Sequence, residues 1–149
     1  MDYEDIPYGY THCYATVEQC PKCDKCLRHH AAEMNEAQTK PYEHVNCVTT
    51  PYIKKVATGQ SCTHYRSTEP LRYARGMESI FDDVPKKLYQ QLRNRVVSCF
   101  SCERIFYYAQ NGKQLISPAQ QRRIAHIFET MGLPAPVYTR YVMRPNWEA

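Results

Sequence analysis

Residues 117–134, SPAQQRRIAHIFETMGLP, carry the clearest local instruction in the chain. Ser117 can cap a helix. Pro118 suits the first helical position, where a missing N–H costs nothing, and Gln120 completes a capping box. Ile124, Ile127, Phe128 and Met131 follow at helical spacing and define one apolar face. Gly132 stands where a left-handed residue ends a helix, and Pro134 prevents continuation.

The segments before this helix extend the pattern. Leu71, Ala74, Met77 and Phe81 can share a helical face, although Gly76 weakens that reading. Asp83 offers an N-cap with Pro85 in the first turn, and Leu88, Leu92 and Val96 recur every four residues. Between the last two helices, Asn111-Gly112 separates Ile105-Phe106-Tyr107-Tyr108 from Leu115-Ile116, which is a hairpin signal. Strict alternation is missing, and a helix starting at Ser101 fits Ile105, Tyr108, Ala109 and Gly112 better. A short β-hairpin near 105–116 remains the alternative. The expected core is Leu88, Leu92, Val96, Ile124, Ile127 and Phe128.

Residues 1–70 read differently. Prolines recur at 7, 21, 41, 51 and 70, and only Asp24 to Ala37 looks helical, with Leu27, Ala31, Met34 and Ala37 on one face. The expected fold class is therefore mainly α. An irregular Cys-rich module spans 1–70 and packs on a basic helical unit spanning 71–149. A metal ion is the usual way to hold a loop-rich module with little apolar periodicity.

The cysteines supply donors for one. There are eight: Cys13, Cys20, Cys23, Cys26, Cys47, Cys62, Cys99 and Cys102. The N-terminus is acidic with no apolar stretch, unlike a signal peptide, and no run of apolar residues would span a bilayer. A cytoplasmic location is expected, where thiols stay reduced and ligate metal more readily than they form disulfides. The expected zinc ligands are Cys13, Cys20, Cys26 and Cys62, with Cys23 and Cys47 in reserve. His29, His30 and His64 are further donors, although adjacent histidines on a helix diverge and at most one of the first two can face the metal. Cys20-x2-Cys23-x2-Cys26 also echoes three ligands of a ferredoxin-type cluster, which keeps an iron–sulfur site as the lesser alternative. Cys99-x-x-Cys102 reads as packing.

Charge divides the chain. Residues 1–70 hold seven Lys and Arg against nine Asp and Glu, a net of −2; the remainder holds twelve against six, a net of +6. A polyanion such as DNA is the partner that this asymmetry suggests for the second half. No Gly-rich phosphate loop, G-x-S-x-G or H-E-x-x-H is present, so an enzyme is not expected.

Two resemblances follow from particular residues. Ser101-Cys102-Glu103-Arg104-Ile105-Phe106-Tyr107-Tyr108, then Asn111-Gly112-Lys113, then Ser117-Pro118 opening a helix that ends Met131-Gly132-Leu133, resemble the helix-turn-helix of Cro-type repressors. That resemblance implies groove-facing roles for Cys102, Arg104 and Tyr108 and a phosphate contact for Lys113. Its usual small-residue turn is replaced by Ser98-Cys99-Phe100. Phosphate neutralisation requires cations on one face, so Lys86, Lys87, Arg122 or Arg123 are expected near its rim. Second, His12-Cys13, Cys20-Pro21, Cys26-Leu27-Arg28, the run from Leu71 to Met77, Val84-Pro85, Phe106-Tyr107-Tyr108, Ser117 to Gln121 and Tyr141 to Trp147 together resemble a family of uncharacterised proteins from gut Bacteroidales. The second resemblance implies a cytosolic bacterial protein and favours Cys13, Cys20 and Cys26 over Cys23, but implies no activity. Three functions follow: a DNA-binding regulator with a structural zinc, a zinc-stabilised protein adaptor using the 13 tyrosines, or a cysteine-based redox or iron–sulfur protein.

Overall fold

A computed structural model describes residues 1–147 and divides them into two compact units. The first holds residues 1–70 with 145–147, and the second is Leu71–Arg144.

In the first unit, short 3₁₀ turns at Tyr3–Asp5 and Cys23–Lys25 precede helix α1 (Leu27–Glu36), and α2 (Thr50–Ala57) follows. α1 buries Leu27, Ala31, Ala32 and Asn35. The sequence reading passed over α2 because prolines and polar residues surround it. Pro51 nonetheless sits at its N-terminus, where it is tolerated, and Lys54 and Lys55 favour its C-terminal end. Its buried Ile53 joins Ala15 and Val48 in a small cluster against which Cys13, Cys20 and Tyr52 pack. Elsewhere, backbone bonds tie the loops together. His12 bridges to Cys47, and Cys26 bridges to Ser67.

The second unit is mixed rather than helical throughout. Strand β1 (Leu71–Arg75) is followed by α3 (Lys86–Val97), α4 (Glu103–Gln110), β2 (Leu115–Ile116), α5 (Pro118–Thr130) and β3 (Arg140–Arg144). The sheet is antiparallel in the order β2-β1-β3. Helices dominate, so the fold is α with a small β-sheet.

Several local expectations change. Residues 71–75 form a strand, not a helix. Tyr73 and Ala74 are buried while the ends are more open, and Gly76 stops the strand with φ +80°. A Cβ there would stand 2.9 Å from Thr139 Oγ1, so only glycine fits. Pro85, not Asp83, is the N-cap of α3. Residues 103–110 form a helix capped at Cys102, two residues later than expected, and Leu115–Ile116 pairs with β1 instead of closing a hairpin on 105–110. α5 has the expected capping box: Ser117 Oγ accepts from the Gln120 amide and Gln120 Oε1 accepts from the Ser117 amide.

Leu92, Val96, Ile124 and Phe128 are buried in one cluster with Met77, Phe106 and Ile116. Ile127 packs at its margin. Leu88 is only half-buried and falls outside the cluster, because it lies in the first turn of α3, before the helix meets the core.

Candidate metal centre and basic surfaces

Cys13, Cys20, Cys23, Cys26 and Cys62 all line one cavity of 230 Å³ in the first unit, together with His29 and His64. Local structure positions each. Cys13 lies in a loop whose amide donates to the Arg28 carbonyl at 2.8 Å. A turn places Cys20, whose amide reaches the Thr16 carbonyl, and the 3₁₀ turn carries Cys23 on to Cys26. Cys26 caps α1 and is held on both sides: the Leu27 amide donates to the Arg66 carbonyl and the Thr68 amide to the Lys25 carbonyl. Cys62 follows the end of α2. The reserve Cys23 thus belongs to the cavity, whereas Cys47 is exposed and does not line it.

The thiols are electrostatically coupled, each thiolate disfavouring its neighbours. Burial raises the Cys13 thiol pKa; the Ala15 amide, donating to the sulfur, opposes the rise, while Cys26, Cys20 and Cys62 add to it. Cys13 therefore senses the other three expected ligands. Burial also raises the Cys23 thiol, with Cys20 as its nearest electrostatic neighbour among the cysteines. Of the histidines, His29 has both ring nitrogens engaged, by the Cys13 carbonyl at 3.2 Å and Glu33 at 3.4 Å. His30 turns to the Asp24 carbonyl and Glu33. His64 stands edge-on to Tyr52, 4.9 Å between ring centres. Among the described residues, no three His, Cys, Asp or Glu side chains form a group that could hold a metal ion as they stand.

On the second unit, α4 buries Phe106 and Ala109 and exposes Glu103, Arg104 and Tyr107. Arg104 Nε donates to the Tyr108 hydroxyl at 2.9 Å, and Lys113 Nζ lies 5.7 Å from the same ring. Three of the expected nucleic-acid contacts therefore share one surface. Cys102 is exposed at the N-cap of the same helix. Lys86 and Lys87 are exposed in the first turn of α3, and Arg122 and Arg123 are exposed on α5. Arg93 is partly neutralised, bonded to Glu103 at 3.0 Å and to the Tyr107 hydroxyl at 2.8 Å. The second thiol pair splits: Cys99 is buried in the core and Cys102 is not.

Sequence reasoning missed two polar sites. Buried His12 is held by the Tyr10 carbonyl at Nδ1 and the Tyr3 hydroxyl at Nε2, beside an aromatic cavity that includes Tyr42. A lone histidine between Thr11 and Cys13 gives no periodic signal. Arg75 and Arg140 face each other across the sheet, which cannot be read while 71–75 is taken for a helix.

The fold and the cavity define a two-unit protein with a thiol-lined pocket and a basic, mixed helical and sheet unit. The chain belongs to a family of unknown function (DUF6078), which matches residues 1–147. No curated protein and no solved structure matches it. No helix among the described residues is long and apolar enough to cross a membrane.

Proposed function

We propose that the chain is a DNA-binding regulatory protein whose N-terminal unit is stabilised by a thiolate-bound zinc ion on Cys13, Cys20, Cys26 and Cys62. One observation carries the metal reading: Cys62 lines a single cavity with Cys13, Cys20 and Cys26, although it lies 36 residues beyond the last of them. Four thiolates suit tetrahedral zinc, and a site with no open position is structural. Binding draws the sulfurs inward and releases their protons, so metal affinity becomes folding energy for a unit whose apolar cluster is small. Cys23 lies against the same cavity and is the alternate donor.

The DNA reading has its own support. Arg104 and Tyr108 on α4 group with Lys113 of the following turn, and the opposite side of the helix is anchored in the core through Phe106 and Ala109. Lys86 and Lys87 occupy the first turn of α3, where the helix dipole disfavours cations, and a phosphate there would relieve that cost. The competing adaptor reading relies on exposed aromatics such as Tyr8, Tyr42 and Tyr107.

Metal analysis and an absorption spectrum of anaerobically purified protein test the first part. One zinc per chain and no visible absorption is the expected result. A brown, iron-containing protein would replace zinc with an iron–sulfur cluster, and metal-free protein with reduced thiols would remove the centre. Gel shifts over a salt series test the second part. Absence of binding at low salt would remove DNA and leave the adaptor ahead.

A further inference from the structure

We infer that the second unit contains an oxyanion-binding site, of phosphate type, in the recess between the β1–β3 pair and the turn at Asn111-Gly112. It is independent of the zinc proposed for the N-terminal unit. Arg75 and Arg140 are direct partners in the antiparallel register and line the same 200 Å³ recess. Like charges directly opposite each other on a sheet repel, so this pair costs stability unless something negative lies between them. Among the described residues, no carboxylate is ion-paired with either arginine. Glu78 also lines the recess, but it is exposed and outside ion-pair distance of both.

The guanidinium of Arg75 is pre-positioned. Its Nη1 donates to the Gly112 carbonyl at 2.8 Å, while its Nε is buried with no hydrogen-bond partner among the described residues. A buried charged donor without an acceptor is costly, and an anion in the recess offsets that cost through its charge beside the guanidinium, not through a bond to the solvent-inaccessible Nε. Gly112 takes the left-handed backbone conformation, φ +85°, that the turn beside this side chain requires. The Thr139 side chain adds a hydroxyl to the lining. Two arginine side chains and a threonine lining a small recess match the charge and donor needs of a tetrahedral oxyanion, which accepts several charge-assisted hydrogen bonds at once. The phosphate could belong to a small phosphorylated ligand or to a nucleic-acid backbone.

Full-length ¹⁵N-labelled protein titrated with inorganic phosphate at constant ionic strength tests the site. Saturable shifts of the Gly76 and Gly112 amides are expected, with affinity about tenfold weaker in Arg140→Gln. Arg75→Gln is a poorer variant because Arg75 also holds the turn. Arg140 makes no such bond, and unchanged amide shifts elsewhere show that its variant folds. A short DNA duplex separates the two sources. Saturation at lower phosphate-equivalent concentration with duplex assigns the site to backbone phosphate, and saturation with inorganic phosphate alone assigns it to a small ligand. No saturable shift with either, or the same affinity in Arg140→Gln, would overturn the proposal.

Discussion

Arg104 and Tyr108 lie one turn apart on α4, and the guanidinium of the first donates to the hydroxyl of the second while lying 5.5 Å from its ring centre. The contact holds a long cationic side chain in one orientation, which would reduce the entropy lost on meeting a base edge under the DNA-binding proposal. Lys113 Nζ, 5.7 Å from the centre of the same ring, lacks such a tether and suits a diffuse positive charge better.

The two cations should therefore fail differently. Arg104→Ala is expected to weaken a preferred DNA sequence by about 1–3 kcal/mol and to relax its specificity. Lys113→Ala should weaken all sequences alike and reduce the salt slope by about one. Binding isotherms at several salt concentrations, on matched and scrambled duplexes, check both.

The cavity predicts a contrast among cysteines. Cys26→Ser should lower zinc content and loosen residues 1–70, while amide protection in α5 persists. Cys47→Ser should do neither, because Cys47 is exposed and lies off the cavity. Metal content with hydrogen exchange reads out both variants. Equal zinc in Cys26→Ser and the parent chain would shift the ligand set towards Cys23.

Burial separates two residues of the expected core. Phe128 is 2% exposed, and Phe128→Ala should cost about 3–5 kcal/mol of unfolding free energy. Leu88→Ala should cost less, about 1 kcal/mol, because Leu88 is only half-buried and outside the cluster. Urea denaturation of the two variants measures the difference.

What could be read in advance follows from how local the signals are. α5 was legible to the residue because its cap, proline, apolar face and terminal glycine all lie within its own segment. The strand at Leu71–Arg75 was not. Its apolar residues also fit a helix, and only pairing with Arg140–Arg144, far along the chain, makes it extended. The same dependence hid the Arg75–Arg140 pair. The thiol cavity was partly legible because thiols are rare and chemically distinct, so spacing narrowed the choice. It put Cys62 in the ligand set and Cys23 in reserve, yet both reach the cavity, one through the loop after α2 and the other through a 3₁₀ turn. Asn35 sat on a helix with no mark of its role, yet it is buried and fully bonded, to the Tyr14 hydroxyl, the Gln38 side chain and the Tyr42 backbone.

The last prediction concerns Tyr138. Its side chain is 6% exposed, and its hydroxyl has no hydrogen-bond partner among the described residues. Burial pushes its pKa well above the ordinary value of 10.0, and the neighbouring Tyr141 and Cys99 add to the rise. Below pH 10 the phenol is protonated whether the chain is folded or not, and it contributes no pH dependence. Above pH 10 the unfolded chain loses this proton while the folded chain keeps it. The unfolded state then binds fewer protons, so stability falls as pH rises, by about 1.4 kcal/mol per unit from this group. Tyr138→Phe removes that slope. At neutral pH it also removes a buried hydroxyl that satisfies no acceptor, so the variant should match the parent or exceed it by up to about 1 kcal/mol. The comparison is the difference between parent and variant in urea unfolding at neutral pH and at about pH 11, which cancels the alkaline titration of Cys99, itself raised by burial and lowered by Arg123. A variant that is strongly destabilised at neutral pH would show that the hydroxyl is bonded in solution, and one that keeps the full alkaline slope would show that Tyr138 ionises in the folded chain.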